Sequence, residues 1–269
     1  MLISLTLAAL PAIVTPLPLP LAGPNAVHGV ATHDRSRGDD TSEMVRLITR
    51  DRLQIQASYF APRKSKEKAP GVVLVHDAGS DRTVLEGMAE SLQKRGFGTL
   101  TLDLRGHGES VSESQNWEAM DESARVSAWT FASRDVAAAM GYLRDQKEIH
   151  SAKLTVIGIG AGCNLALTLA EDDRDVRAVV LVNPGESAYE MDTIAGVSDL
   201  GGLPCLLVHP KADRELAESI TAEAHDANDG HEFVKLLSVS ADADEVLAEK
   251  RTMSSIIKWL NEQFDPKGK

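Results

Sequence analysis

The chemistry of this sequence centres on the turn Gly158-Ile-Gly-Ala-Gly162, which follows the apolar run Leu154–Ile157 and opens a helical segment. A strand that runs directly into Gly-x-x-x-Gly and then into a helix holds its central residue on a sharp turn, where a serine oxygen is exposed as a nucleophile. Here the central residue is Gly160, which has no side chain to react. Glycine adopts such a turn without steric strain, so the sequence predicts the turn of a nucleophile without the nucleophile.

The elements that must position this turn alternate between apolar strands and amphipathic helices from Glu43 onward, which is typical of an α/β protein with a mostly parallel sheet covered on both faces. The first two strands, Met44–Thr49 and Leu53–Tyr59, are predicted to pair antiparallel. The other predicted strands are Gly71–Val75, Gly98–Asp103, Leu154–Ile157, Val176–Val182, Pro204–Val208 and Phe233–Leu237. The predicted helices are Thr83–Arg95, Arg134–Arg144, Cys163–Glu171, Leu216–His225 and Met253–Phe264.

Several segments of the chain resemble the α/β-hydrolase superfamily, in particular bacterial single-domain serine hydrolases of the esterase, lipase and acyl-peptidase kind. The resemblance covers roughly Glu43 to Phe264, and its segments are Val73–Ser80, Leu102–Ser110, Gly158–Ala166, Val182–Gly185 and Leu206–Asp213. It implies an α/β-hydrolase fold, with a mostly parallel twisted sheet of about eight strands flanked by helices. No large lid domain is expected, because only residues 183–203 separate the two strands where lids usually insert.

The resemblance also implies where an acid and a base should stand. Asp213 matches the acid position, and the base is expected in the loop after the last strand, Ser238–Val246, which contains no histidine. Asp242 aligns nearest to the base position, although Ala241 or Ala243 fits after a shift of one residue. Nucleophile and base are therefore both missing, and the two losses agree because a base without a nucleophile has nothing to activate.

The segment Val73–Ser80 looks like the loop that helps to stabilise an oxyanion, with Asp77 in place of the usual glycine. A carboxylate at this point would repel developing negative charge. The backbone N–H groups of Ala78 and Ala161 are expected to form an anion-binding notch that suits a carboxylate or a carbonyl oxygen. The resemblance implies that His76 braces this loop, and the same role is expected for His107.

Other residues could in principle restore chemistry. His209 lies four residues before Asp213 and Ser80 lies in the oxyanion loop, but both are interpreted as polar residues that line a pocket, together with His76 and Asp77. Cys163 is predicted to be part of the core, and its position also disfavours dinucleotide binding because a third glycine or alanine belongs there. We expect no cofactor and no metal, since the acidic residues 242–245 are more typical of a solvated face.

Composition narrows the class of partner. The formal net charge of -12 and a pI near 5.1 disfavour nucleic acid and anionic membranes, which attract clustered lysine and arginine. A small-molecule ligand or a protein partner is expected instead. With 269 residues, of which 43% are hydrophobic, the chain is long enough for one large core. The two cysteines, Cys163 and Cys205, lie in apolar runs and are predicted to be buried and unpaired.

Residues 1–42 are interpreted as a signal peptide or a flexible N-terminal segment, and residues 43–269 as the hydrolase-like domain. The apolar stretch from Leu2 to Leu10 has the length of a signal-peptide core and is too short to span a bilayer. A basic region before it is missing. Export to the periplasm or the medium is therefore one prediction, and a cytoplasmic protein with an apolar tail is the other.

Three functions remain open from the sequence. The leading hypothesis is a catalytically inactive hydrolase homologue that binds a small acyl or carboxylate ligand or a protein. The second is an active esterase-like or lipase-like hydrolase with a non-standard nucleophile or base. The third is a structural or interaction protein, which would be favoured if no cavity remained over Gly160.

Overall fold

A computed structural model of the protein describes residues 42–63, 67–240 and 249–264. Its main sheet has eight strands in the order β1-β2-β4-β3-β5-β6-β9-β10, and two short strands, β7 and β8, form a separate hairpin. The bounds are β1 Glu43–Ile48, β2 Gln54–Phe60, β3 Ala69–Val75, β4 Gly98–Leu102, β5 Ile149–Ile159, β6 Val176–Val182, β7 Ser187–Ala188, β8 Met191–Asp192, β9 Cys205–Pro210 and β10 Val234–Val239.

The sheet is mostly parallel. Strand β1 pairs antiparallel with β2, and β2 pairs antiparallel with β4, whereas β4, β3, β5, β6, β9 and β10 are parallel to one another. In β1 the alternate residues Val45 and Leu47 are buried, as expected for a strand with one covered face. In β3 nearly every residue is buried, which fits a central parallel strand between two helical layers. The predicted antiparallel start and parallel continuation are confirmed.

Six α-helices occur in the described parts of the chain, and they cover both faces of the sheet. Helices α2 to α5 bury their apolar residues in one core cluster, and α1 and α6 bury theirs in a second cluster on the opposite face. Their bounds are α1 Glu86–Lys94, α2 Glu122–Arg144, α3 Gly162–Asp172, α4 Thr193–Ser198, α5 Arg214–Ala227 and α6 Lys250–Phe264. The predicted α/β architecture with two covered faces is confirmed.

Helix α2 begins much earlier than the sequence predicted. It starts at Glu122 rather than near Arg134, and the carboxylate of Asp121 caps it by accepting a hydrogen bond from the Ala124 N–H at 2.8 Å. The first half buries only Ala128, Trp129 and Ala132 before the main apolar stripe begins. A stripe made of two alanines and one tryptophan carries little hydrophobic periodicity, which explains why this half looked like polar surface structure.

No large domain interrupts the sheet between β6 and β9, as predicted. The intervening residues, all described, form only the β7–β8 hairpin and the short helix α4. The proposed signal peptide, residues 1–41 of the N-terminal segment, lies outside the described residues. Within the described ranges, no helix is long and apolar enough to span a bilayer.

Candidate functional site

The turn after β5 has the backbone of a nucleophile elbow. Gly160 lies at its tip with a φ of +53°, a conformation that residues with a side chain rarely adopt. Its N–H donates to the Val182 carbonyl at 3.0 Å, which ties the tip to the neighbouring strand β6. A Cβ on Gly158 would lie 2.5 Å from the Gly162 carbonyl oxygen, and one on Gly162 would lie 2.5 Å from that of His76. These glycines are therefore required for strand β5, helix α3 and the loop after β3 to approach one another.

Asp77 fills the space over this elbow. A Cβ on Gly160 would lie 2.6 Å from Asp77 Oδ1, and closer still to the Cγ and Oδ2 of the same side chain. Asp77 Oδ1 accepts hydrogen bonds from the Ala78 N–H and from the Ala161 N–H, both at 2.8 Å. These are the two N–H groups expected to form the anion-binding notch. The chain's own carboxylate therefore occupies both the notch and the volume that a side chain at position 160 would need.

The loop that carries Asp77 is braced by two buried histidines. His76 Nδ1–H donates to the Asp77 carbonyl at 2.7 Å, and His76 Nε2 accepts from the Leu104 N–H at 3.0 Å. His107 accepts at Nε2 from the Gly79 N–H at 3.1 Å and donates from Nδ1 to a backbone carbonyl. Burial lowers the pKa of His76 to about 4, and burial also lowers the pKa of His107. Both rings are thus neutral, and their nitrogens are used to hold backbone rather than to move protons.

Buried ion pairs fix the second loop of the site, residues 103–110. The Asp103 carboxylate pairs with the Arg82 guanidinium, and it also accepts hydrogen bonds from the backbone N–H groups of Arg82 and Glu109. Arg105 donates to the carboxylate of Asp135 on α2, with a shortest distance of 2.6 Å. Burial lowers the pKa of Arg105, but the carboxylates beside it outweigh burial and raise that pKa above its usual value. The loop is therefore held by charge-assisted hydrogen bonds inside the protein.

The remaining triad positions do not form a relay in the described parts of the chain. Asp213 lies in a 3₁₀ turn after β9, and its carboxylate is exposed and has no hydrogen bond or ion pair to another described residue. His209 is buried at the end of β9, where its Nδ1–H donates to the Pro210 carbonyl at 2.8 Å. Asp242, the residue nearest to the base position, lies outside the described residues, as do Ala241 and Ala243.

The alternative nucleophiles differ in their surroundings. Cys163 is fully buried in α3, and its thiol donates to the Gly158 carbonyl at 3.2 Å. Burial raises the pKa of this thiol well above its usual value, which suppresses the reactive thiolate. Both cysteines are buried and free, as the sequence predicted. Ser80 is half-buried in the oxyanion loop, where its N–H donates to the Asp77 carbonyl at 3.2 Å.

An open cavity of about 860 Å³ lies beside the site, between the start of α2 and the tip of the β7–β8 hairpin. Its lining residues are Asp121, Glu122, Ser123, Val126, Ser127, Tyr189 and Glu190. The Tyr189 ring packs on Trp117 and Trp129 with centroids 5.2 Å from each, and Trp117 in turn lies next to Gly79 in the oxyanion loop. Three carboxylates and no base line the cavity, so its field disfavours an anionic ligand there. No group of three or more metal-ligating side chains occurs in the described ranges.

Comparisons with known proteins agree with this architecture. The family model for serine aminopeptidases of family S33 matches residues 66–192, just under half of the chain. Among solved structures, an esterase from Pyrococcus furiosus is 15% identical with a TM-score of 0.65, and the match covers 90% of this chain and 99% of the esterase. An acetyl xylan esterase from a Paenibacillus species is 16% identical with a TM-score of 0.63, covering 86% of this chain and 89% of that one. A structure of DcsB in complex with its substrate analogue is 15% identical with a TM-score of 0.67, covering 82% and 99%.

The chain has the fold of the α/β-hydrolase superfamily, as the eight-stranded sheet, the elbow and the structural matches show. Esterases are among the solved structures that share this fold, and the family model that matches part of the chain is that of the serine aminopeptidases of family S33. A search of the curated proteins found no significant match. At 13–16% identity the structural likenesses establish the fold.

Sequence reasoning missed one functional feature of the site. It placed Asp77 in the oxyanion loop as a repulsive group and left the notch of Ala78 and Ala161 open for a ligand. The structure puts the Asp77 carboxylate inside that notch. The signal that could have found it is the combination of a carboxylate in the loop with a glycine at position 160, since a glycine there leaves room for the Asp77 side chain.

Proposed function

We propose that this protein is a catalytically inactive member of the α/β-hydrolase superfamily whose acyl-transfer site is closed by Asp77. The observation that carries the proposal is the position of the Asp77 carboxylate, which accepts hydrogen bonds from Ala78 N–H and Ala161 N–H and lies over Gly160. An ester carbonyl needs those two N–H groups to stabilise its oxyanion. A carboxylate in the same place blocks the substrate and adds charge of the wrong sign.

The rest of the site supports the same conclusion. Acyl transfer by this fold requires a nucleophile, a base that takes its proton and an acid that orients the base. Gly160 offers no nucleophile, and the exposed Asp213 orients no histidine in the described part of the chain. Neither alternative nucleophile is favoured as a substitute for the missing serine. The Cys163 thiol is buried and protonated, and Ser80 has no hydrogen bond to a described histidine.

We infer a binding role in place of catalysis, with a small acyl or carboxylate ligand or a protein partner. The volume over Gly160 is filled by Asp77, so a ligand at the notch must displace that side chain. The same observation favours the third hypothesis, a structural or interaction protein, in which the partner is another protein. The second hypothesis, an active hydrolase with a non-standard nucleophile, is kept as an outcome of the test.

The test is hydrolysis of short-chain aryl esters by the purified protein, with Asp213→Ala measured beside it as a control for contaminating enzymes. We expect the two proteins to give the same rate as buffer. Gly160→Ser and the double variant Asp77→Gly/Gly160→Ser are also expected to stay inactive, because no histidine activates the new hydroxyl. Turnover by the unmodified protein that disappears with Asp213→Ala would overturn the proposal and make His209 and Ser80 the next residues to change.

A further inference from the structure

A cleft of about 170 Å³ lies between helix α6 and β10, the strand at the edge of the sheet. Its apolar lining is made by Leu206, Leu237 and the indole of Trp259. These side chains belong to, or pack against, the core cluster under α1 and α6, whereas helix α3 after the elbow packs in the cluster on the opposite face. The cleft is therefore separate from the site around Gly160.

The fold leaves this cleft open because β10 is an edge strand. Among the described strands it pairs only with β9, and helix α6 packs over β6, nearer the middle of the sheet. Lys235 and Leu237 alternate along β10 and line the cleft, yet Lys235 is exposed and Leu237 is only half-buried. From α6, Ser255, Trp259 and Glu262 line the other side, at a spacing that places them on one face of the helix. The result is a pocket with an apolar floor and a polar rim.

The indole N–H of Trp259 is a donor without an acceptor. Trp259 is only 5% exposed, and its Nε1–H donates no hydrogen bond to another described residue. Trp129 Nε1 also has no partner in the described ranges but is completely enclosed, whereas Trp259 Nε1 is not. Because most of the Trp259 ring is packed in the core and its open part lines the cleft, the N–H points into the cleft. A buried indole N–H usually has an acceptor, so this one is available to a ligand.

Positive charge predominates at the rim of the cleft. Lys235 and Lys258 are exposed, and neither forms an ion pair with a described carboxylate. Glu262 also lines the cleft, and it too has no ion pair in the described part of the chain. Two lysine ammonium groups thus face one carboxylate, in a chain whose formal net charge is -12. This local excess of positive charge favours a small anion over a cation.

We propose that this cleft binds a small organic acid with a short apolar chain. The carboxylate is bound by Lys235 and Lys258 and accepts a hydrogen bond from Trp259 Nε1–H, and the chain lies on Leu206 and Leu237. A volume of 170 Å³ corresponds to about six water molecules of about 30 Å³ each, so a ligand of about six to eight non-hydrogen atoms fits. The inference goes beyond the proposed function, because it does not depend on whether the elbow catalyses.

The test follows the indole N–H signals of the three tryptophans by ¹⁵N NMR while sodium hexanoate is added to the purified protein. Trp259→Phe identifies the Trp259 signal, which we expect to shift and to saturate. The double variant Lys235→Gln/Lys258→Gln should bind hexanoate at least about tenfold more weakly, because two charge-assisted contacts are lost. Lys147→Gln removes an exposed lysine that does not line the cleft, and should change the affinity by less than about twofold.

Three further probes separate the contributions of charge and chain. 1-Hexanol has the chain without the charge, hexylammonium reverses the charge, and inorganic phosphate has the charge without the chain. Each should bind at least about tenfold more weakly than hexanoate. The inference is overturned if hexanoate leaves the Trp259 signal in place, if the double variant binds as tightly as the unmodified protein, or if any of these probes binds as tightly as hexanoate. Esterase turnover would instead refute the proposed function and leave these outcomes unchanged, so the two failures are distinguishable.

Discussion

Replacing Gly160 with alanine tests whether the elbow and Asp77 share one volume. The φ of +53° costs an alanine about 1–2 kcal/mol, because the left-handed region crowds its Cβ. The new Cβ also stands 2.6 Å from Asp77 Oδ1, so the carboxylate must leave the notch. The loss of two hydrogen bonds to a charged but exposed group adds about 1–2 kcal/mol, since water replaces part of them. We therefore expect Gly160→Ala to lower the free energy of unfolding by about 2–4 kcal/mol.

A matched control separates the two contributions. Gly230 has a φ of +76°, and a Cβ there would meet nothing within 4 Å. Gly230→Ala should therefore show the backbone cost alone, about 1–2 kcal/mol. Asp77→Ala removes the carboxylate in advance, so Gly160→Ala made in that background should cost only about as much as Gly230→Ala. The coupling energy between positions 77 and 160 is then about 1–2 kcal/mol.

The assay is urea unfolding, followed by tryptophan fluorescence and circular dichroism, of the unmodified protein, the three single variants and the double variant. Equal slopes of the unfolding curves are needed for the free energies to be compared. The reasoning fails if the effects of Asp77→Ala and Gly160→Ala add within about 0.5 kcal/mol. It also fails if Gly160→Ala costs no more than Gly230→Ala.

Two further predictions concern the groups that hold the site together. Burial lowers the pKa of His76 from 6.5 to about 4, so its contribution to stability is complete above pH 6.5 and is lost as the pH falls towards 4. That pKa difference corresponds to about 3 kcal/mol of stability. Urea unfolding across this pH range should show a smaller loss of stability on acidification in His76→Asn than in the unmodified protein. The loss should be unchanged in the control His231→Asn, whose ring is exposed. Asp135→Ala leaves the buried Arg105 guanidinium without its main partner, so it should cost about 3–5 kcal/mol, whereas Asp173→Ala at the more exposed pair with Arg144 should cost about 0–1 kcal/mol. Similar losses for these two variants in the same unfolding assay would contradict the importance given to burial.

The sequence was sufficient for the elements of the sheet and for the elbow. Runs such as Val176–Val182 are apolar throughout and bounded by polar turns, and the spacing of Gly158, Gly160 and Gly162 marks a close approach of strand and helix. These signals are local, which is why they can be recognised without coordinates. The first half of helix α2 was missed because its buried residues are mostly alanines, whose contribution to periodicity is weak.

The hydrogen bond between the Ala161 N–H and the Asp77 carboxylate could not be predicted, because it joins residues 84 positions apart in the chain. The sequence shows a carboxylate at Asp77 and a helix start at Ala161, but only the parallel pairing of β3 with β5 brings the ends of these two strands together. The Asp77 side chain could in principle point away from the notch, as a repulsive group, or into it, as an acceptor. It can point in because Gly160 has no side chain to occupy that volume, and this is seen only in the packed site.

Gly160 and Asp77 are therefore not two independent departures from an acyl-transfer site. A side chain at position 160 and the Asp77 carboxylate cannot occupy the same volume. In Gly160→Ser alone, either the serine or the Asp77 side chain must therefore move out of that volume. A glycine restored at position 77 alone would open the notch but supply no nucleophile. The close contacts at Gly158 and Gly162 remain necessary in either case, because they set the distance between β5, α3 and the loop of His76. This structural requirement keeps the elbow as a backbone turn although Gly160 carries no side-chain oxygen.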